Sequence, residues 1–167
     1  MTVQPNRLQK GFTLIELLVV IGILAVLLGI VLVAINPARQ FALANNTKRQ
    51  SDVNTILNAI HQYAAENNGD LSVLGTISED PTAPTLISDD ATAGIGDAFC
   101  STLVTEFVAA LPADPNTNNG LQVDEAGCDD AAGWATGYTM IQSADDNRIT
   151  VMAPGAELAG VTISVTR

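Results

Sequence analysis

One carboxylate in this chain stands where a carboxylate is costly. Glu16 heads the run LLVVIGILAVLLGIVLVAI, residues 17–35, which carries no charged residue. As a helix these residues span roughly 28 Å, close to the ~30 Å hydrocarbon core of a bilayer. A carboxylate at the centre of such a span costs about 2.5–3.5 kcal/mol by insertion scales, so it calls for a cationic partner. The run holds no such partner, which must therefore come from another chain or from a newly made N-terminus. Two other sets of residues could do chemistry. Asp114, Asn116, Asn118 and Glu125 fall at positions 1, 3, 5 and 12 of an EF-hand-like loop and offer oxygen ligands to calcium. The glycine is Gly120 instead of position 6, flanking helices are missing, and Asp and Asn also favour turns, so an ordinary surface turn competes with calcium. Cys100 and Cys128 are the only cysteines, and His61 is the only histidine.

Composition narrows the remaining options. Beyond Leu71 fourteen Asp and Glu face only Arg148 and Arg167, within a formal net charge of -11. Such a domain repels nucleic acid and anionic lipid, because phosphate contacts need basic residues. Aromatics make up 4% of the chain, which leaves little for a stacking platform or an aromatic-lined pocket. No phosphate loop, zinc spacing or convincing Ser-His-Asp set is present. His61 has no histidine or cysteine companions and reads as a boundary residue of a helix. These features point away from an enzyme and from a resident cofactor.

The elements that must position Glu16 follow from periodicity. The leading residues MTVQPNRLQKG carry Arg7 and Lys10, and positive charge before a span keeps that end cytoplasmic. A secretory signal peptide has a shorter apolar region and a small-residue cleavage site, so it fits poorly. An uncleaved anchor is the simplest competing reading. Gly22 and Gly29, seven apart in the span, would permit close helix packing or are incidental. Asn36-Pro37 interrupts the helical pattern and predicts a kink or short unwound stretch. Val53, Ile56, Leu57, Ile60 and Ala64 then mark one face of an amphipathic helix, with Lys48, Arg49, Asp52, Asn54 and Asn58 on the others. Asn67-Asn68-Gly69 should end it, with Gly69 in the left-handed conformation. Residues 71–96 read as a loop with a short strand near Thr85 to Ser88. A short helix is expected from Phe99 to Leu111, with Leu103, Phe107 and Ala110 inward. Strands are expected at Gly137 to Gln142, Arg148 to Ala153 and Gly160 to Thr166, with a hairpin turn at Asp145-Asp146-Asn147. An antiparallel sheet laid on the amphipathic helix would bury both apolar faces. With the leader setting topology, both cysteines lie outside the cytoplasm, where a bridge is expected and two free thiols are the alternative.

The segment Lys10-Gly11-Phe12-Thr13-Leu14-Ile15-Glu16-Leu17-Leu18-Val19-Val20 resembles the processing motif of type IV prepilins and type II secretion pseudopilins. The resemblance implies cleavage between Gly11 and Phe12 by a prepilin peptidase that then methylates the Phe12 amine. Glu16 becomes the fifth mature residue, which in the family pairs with the N-terminal amine of a neighbouring subunit. That amine is the missing partner. Loss of Arg7 and Lys10 takes the side-chain charge from -11 to -13 (-11 - 2). An α+β fold is implied, a long N-terminal helix on a small antiparallel sheet domain. The chain then divides into leader 1–11, assembly helix 12–36, amphipathic helix 37–69 and acidic domain 70–167. Leu111-Pro112-Ala113-Asp114-Pro115 resembles the turn before the sheet in this family, and Cys100 to Cys128 its disulfide-bounded region. Three expected strands follow Cys128, whereas many members carry the second cysteine nearer the C-terminus. The implied partners are identical or homologous subunits, the peptidase and an inner-membrane assembly platform. The implied course runs from single-pass inner-membrane precursor, N-terminus cytoplasmic, to an extracellular filament or a periplasmic pseudopilus. A subunit of a type IV pilus leads; a secretion pseudopilin, and then a tip adhesin or minor pilin, are the alternatives.

Overall fold

The computed structural model describes residues 11–90 and 92–167, apart from the side chain of Asn118. Arg7 and Lys10 lie outside the described residues. The chain divides into two compact units, one ending at Gln40 and one spanning Phe41–Arg167.

The first unit is dominated by helix α1, Leu14–Ile35, none of whose residues is buried. By length and composition it could cross a membrane. Thr13 caps its start with extended backbone. Asn36 ends it by adopting the left-handed region, φ 44 and ψ 82, where Asn is tolerated better than most residues. Pro37 opens helix α2, Pro37–Glu66. At the first helical position its missing N–H costs nothing, and its fixed φ suits the helix. The Asn36 carbonyl accepts from the N–H groups of Arg39 and Gln40, at 3.1 and 3.4 Å. The expected interruption is therefore a single left-handed residue between two helices.

The second unit holds the rest of α2 and a four-stranded antiparallel sheet in the order β1-β2-β3-β4. Its strands are β1 (Thr85–Ser88), β2 (Ala135–Gln142), β3 (Ile149–Ala153) and β4 (Ile163–Thr166). Register runs Thr85 to Met140, Val151 to both Met140 and Val165, and Ala153 to Ile163. Alternation along β3 buries Ile149, Val151 and Ala153, as a half-buried strand requires. These side chains join Val53, Ile56, Leu57 and Ile60 of α2 in one core. Each fully buried Ile or Leu contributes about 1.5–3 kcal/mol relative to exposure. The segment read as a loop also enters this core, through Leu74, Ile77, Ile87 and Ile95.

Several boundaries shift for local reasons. Helix α3 covers Asp97–Leu103 instead of 99–111. It stops because Thr105 takes φ 76 and the Val108 N–H turns back to the Leu103 carbonyl at 3.1 Å. Phe107 nevertheless packs on the core, edge-to-face with Tyr63 at 5.7 Å. At the end of α2 the Gly69 N–H bonds the Ala64 carbonyl at 2.7 Å, which closes a Schellman turn. Gly69 takes φ 85 as expected, and Asn68 before it is left-handed too, at φ 56. The β2–β3 turn contains Asp145-Asp146-Asn147, with Asn147 at φ 55.

Candidate processing and assembly site

Gly11, Phe12 and Thr13 precede α1 without helical structure and are exposed. A peptide bond in such a segment is open to a protease. Three residues on, Glu16 bends back over the helix start. Its Oε2 accepts from the Thr13 N–H at 2.8 Å and from Thr13 Oγ1 at 2.7 Å. Thr13 Oγ1 in turn accepts from the Glu16 N–H at 3.3 Å. This is a capping box, with two helix-end donors satisfied reciprocally and a negative group at the positive end of the helix dipole. The geometry aims the carboxylate toward the chain end that a cut after Gly11 would expose.

The Phe41–Arg167 unit contains a second polar constellation. Arg49 is fully buried. Its Nε donates to Asp114 Oδ2 at 2.5 Å and its Nη2 to Asp114 Oδ1 at 3.0 Å, a two-pronged pair. Nη2 also reaches Glu157 Oε1 at 3.1 Å, and Nη1 donates to Asn46 Oδ1 at 2.9 Å. Asn45 and Asn116 donate their amides to the same Glu157 oxygen, at 2.8 and 2.9 Å. Beside this clamp Tyr138 donates to Asp52 Oδ2 at 2.7 Å and Lys48 donates to Asp52 at 3.0 Å. Burial alone would raise the Asp114 pKa, but hydrogen bonds from Arg49 and the Asn116 N–H outweigh it and hold the carboxyl low. The Asn45 and Asn116 amides, then Arg49, lower Glu157. Hydrogen bonding to Asp114 raises the guanidinium against the opposing effect of burial. Burial and the bond to Asp52 push the Tyr138 hydroxyl up, so it remains a donor. The clamp ties α2 to the turn after Leu111 and to the segment after β3.

A family model described as the prokaryotic N-terminal methylation motif matches residues 6–32. No curated protein and no solved structure matches the chain. The chain carries the methylation motif of type IV pilin-like and pseudopilin-type proteins.

The clamp corrects the reading of α2. Arg49 and Asp52, assigned to outward faces, are buried. The apolar stripe of Val53, Ile56 and Ile60 continues backwards through Arg49, Asn46 and Ala42 at helical spacing, and that continuation was the signal available in the sequence. The oxygen-rich loop is likewise turned to other uses. Asp114 is committed to Arg49, the Asn116 amide faces Glu157, and Glu125 opens helix α4 (Glu125–Cys128) in an exposed position. The Asn118 side chain lies outside the described residues. Among the described residues no group of three or more His, Cys, Asp and Glu is placed to hold a metal. The loop's backbone also joins the fold, with the Asp114 N–H bonded to the Thr136 carbonyl at 2.8 Å. Cys100 and Cys128 are bridged, with Cα atoms 5.5 Å apart, joining α3 to α4. His61 is half-buried, with Nε2 enclosed and unpartnered among the described residues.

Proposed function

We propose that the chain is a prepilin, cut between Gly11 and Phe12, methylated at Phe12, and polymerised through α1 as a structural subunit of a type IV pilus or related filament. The observation that carries this reading is the methylation motif over residues 6–32, joined to a helix whose apolar surface is wholly uncovered. Before assembly that helix anchors the precursor in the inner membrane. Cleavage exposes an amine four residues ahead of Glu16. The carboxylate of one subunit then pairs with the amine of the next and fixes axial register. An ion pair that loses both hydration shells favours assembly only with good geometry. The capping box supports this, because it holds the carboxylate at the helix start before the partner arrives.

Mass spectrometry of the mature protein tests processing, and an N-terminus other than methylated Phe12 rejects the reading. Glu16→Ala should leave membrane insertion and cleavage intact while assembly fails. Undiminished filament yield from that variant removes the role given to Glu16.

A further inference from the structure

The two edges of the sheet differ. Beside β1 the chain seals the edge itself. Leu86 donates its N–H to the Ala93 carbonyl at 2.9 Å and accepts from the Ile95 N–H at 2.9 Å, and the Gly96 N–H donates to the Ser88 carbonyl at 3.0 Å. Beside β4 no segment among the described residues does the same. Ile149 and Arg167 exchange both backbone bonds, at 2.9 and 3.1 Å. The alternation of an antiparallel ladder then turns Val165 and Ile163 toward β3, and the N–H and C=O groups of Ser164 and Thr166 away from it. Both of these residues are exposed. The strand also lacks the features that blunt an edge. Residues 161–166, VTISVT, contain no charge, proline or glycine, and the register from Thr166 to Ile163 runs without a bulge. Open edges are ordinarily guarded by one of these or by a covering segment.

We propose that β4 receives an extended segment of a partner protein, rich in lysine or arginine, as a further strand of the four-stranded sheet. Backbone pairing supplies the contact, and charge selects the occupant. Beyond Leu71 the domain carries fourteen acids. Its two cations are engaged, Arg148 with Asp146 at 3.9 Å and Arg167 with Asn58 Oδ1 at 2.6 Å. Such a field attracts basic segments and repels acidic ones, a second copy of this chain included. This docking edge lies outside the filament reading, since it needs neither cleavage after Gly11 nor α1.

The test uses the full chain in detergent. The probe is a synthetic peptide of residues 149–153 with two lysines at each end, since that sequence already pairs with β4 on its other side. The peptide should bind and slow hydrogen exchange at the Ser164 and Thr166 amides. Ser164→Pro should weaken binding about tenfold, because one outward N–H is lost while the β3 ladder stays whole. Ser164→Ala, which keeps that N–H, should bind as the parent does. Glutamates in place of the flanking lysines, or proline at the peptide's centre, should also weaken binding about tenfold or more. No binding of the lysine peptide, or equal binding in any of the three weakened cases, overturns the proposal. So does protection of both amides by self-association of the chain without peptide, which would make a second copy the occupant. Methylated Phe12 with no peptide binding rejects only docking at β4, whereas bound peptide with an unmethylated N-terminus rejects only the prepilin reading.

Discussion

At the scale of single residues, Arg49 shows how a buried charge is made tolerable. Its guanidinium meets two carboxylates and an amide oxygen, so the positive charge and most of its donors are answered. Arg49→Met removes the cation and leaves Asp114 buried and unpaired. Breaking a buried pair from one side costs about 3–5 kcal/mol, and urea unfolding of the full chain in detergent should register a loss of that order. A change under about 1 kcal/mol, the worth of a surface pair, would mean that the clamp contributes little. The same residues set a pH dependence. Asp114 and Glu157 titrate lower in the folded chain than in the unfolded one, so on acidification the unfolded chain takes up protons first. Their contribution is complete at neutral pH and disappears as pH falls below the ordinary carboxylate range through the folded values. Melting temperature should fall steeply there, and less steeply in Arg49→Met, whose carboxylates have lost the cation. Equal slopes would reject the linkage.

At the scale of elements, the disulfide joins two helices too short to persist alone. Isolated helices below ~12–15 residues are marginal in water; α3 has seven residues and α4 four. Closing 28 positions restrains the unfolded chain by about 3–4 kcal/mol. Replacing both Cys100 and Cys128 by serine should therefore lower the unfolding midpoint, with the loss concentrated in hydrogen-exchange protection of residues 97–128. Protection unchanged in that stretch would show that core packing of Phe99 and Leu103 suffices. Elements were legible wherever local pattern decides. The α1 run, the Val53-to-Ile60 stripe and the alternating strands around the Asp145-to-Asn147 turn could be read directly. The length of α3 could not, because a positive φ at Thr105 is imposed by its surroundings and leaves no mark in composition. Nor could the clamp's pairing, since helical spacing can mark Arg49 as inward but its partners lie 65 and 108 positions away. The same long-range pairing engages Asp114, one of the oxygen-bearing residues whose local spacing suggested calcium.

At the scale of the whole molecule, charge connects assembly to stability. The sequence isoelectric point lies near 4.1, and the proposed cleavage after Gly11 would make the side-chain charge more negative still. At neutral pH the proposed filaments, coated with such domains, should repel one another over about a Debye length, ~8 Å at physiological salt. Added salt should shorten that range and favour bundling. Acidification should act more strongly, because it removes the charge itself as pH approaches the isoelectric point. The clamp carboxylates titrate below their ordinary values, so the clamp keeps its charge as the chain's net charge falls on acidification. Two transitions should therefore separate on titration from neutral pH. Light scattering should rise first, near the isoelectric point, as intact filaments associate side by side. Loss of the domain's tertiary signal should follow at lower pH, as the Arg49 clamp discharges. In Arg49→Met the second transition should move up toward the first, while bundling stays close to its parental pH because the exposed acids are unchanged. Unfolding that precedes bundling in the parent would break the order, and with it the assignment of the acidic surface to repulsion and of the buried pair to stability.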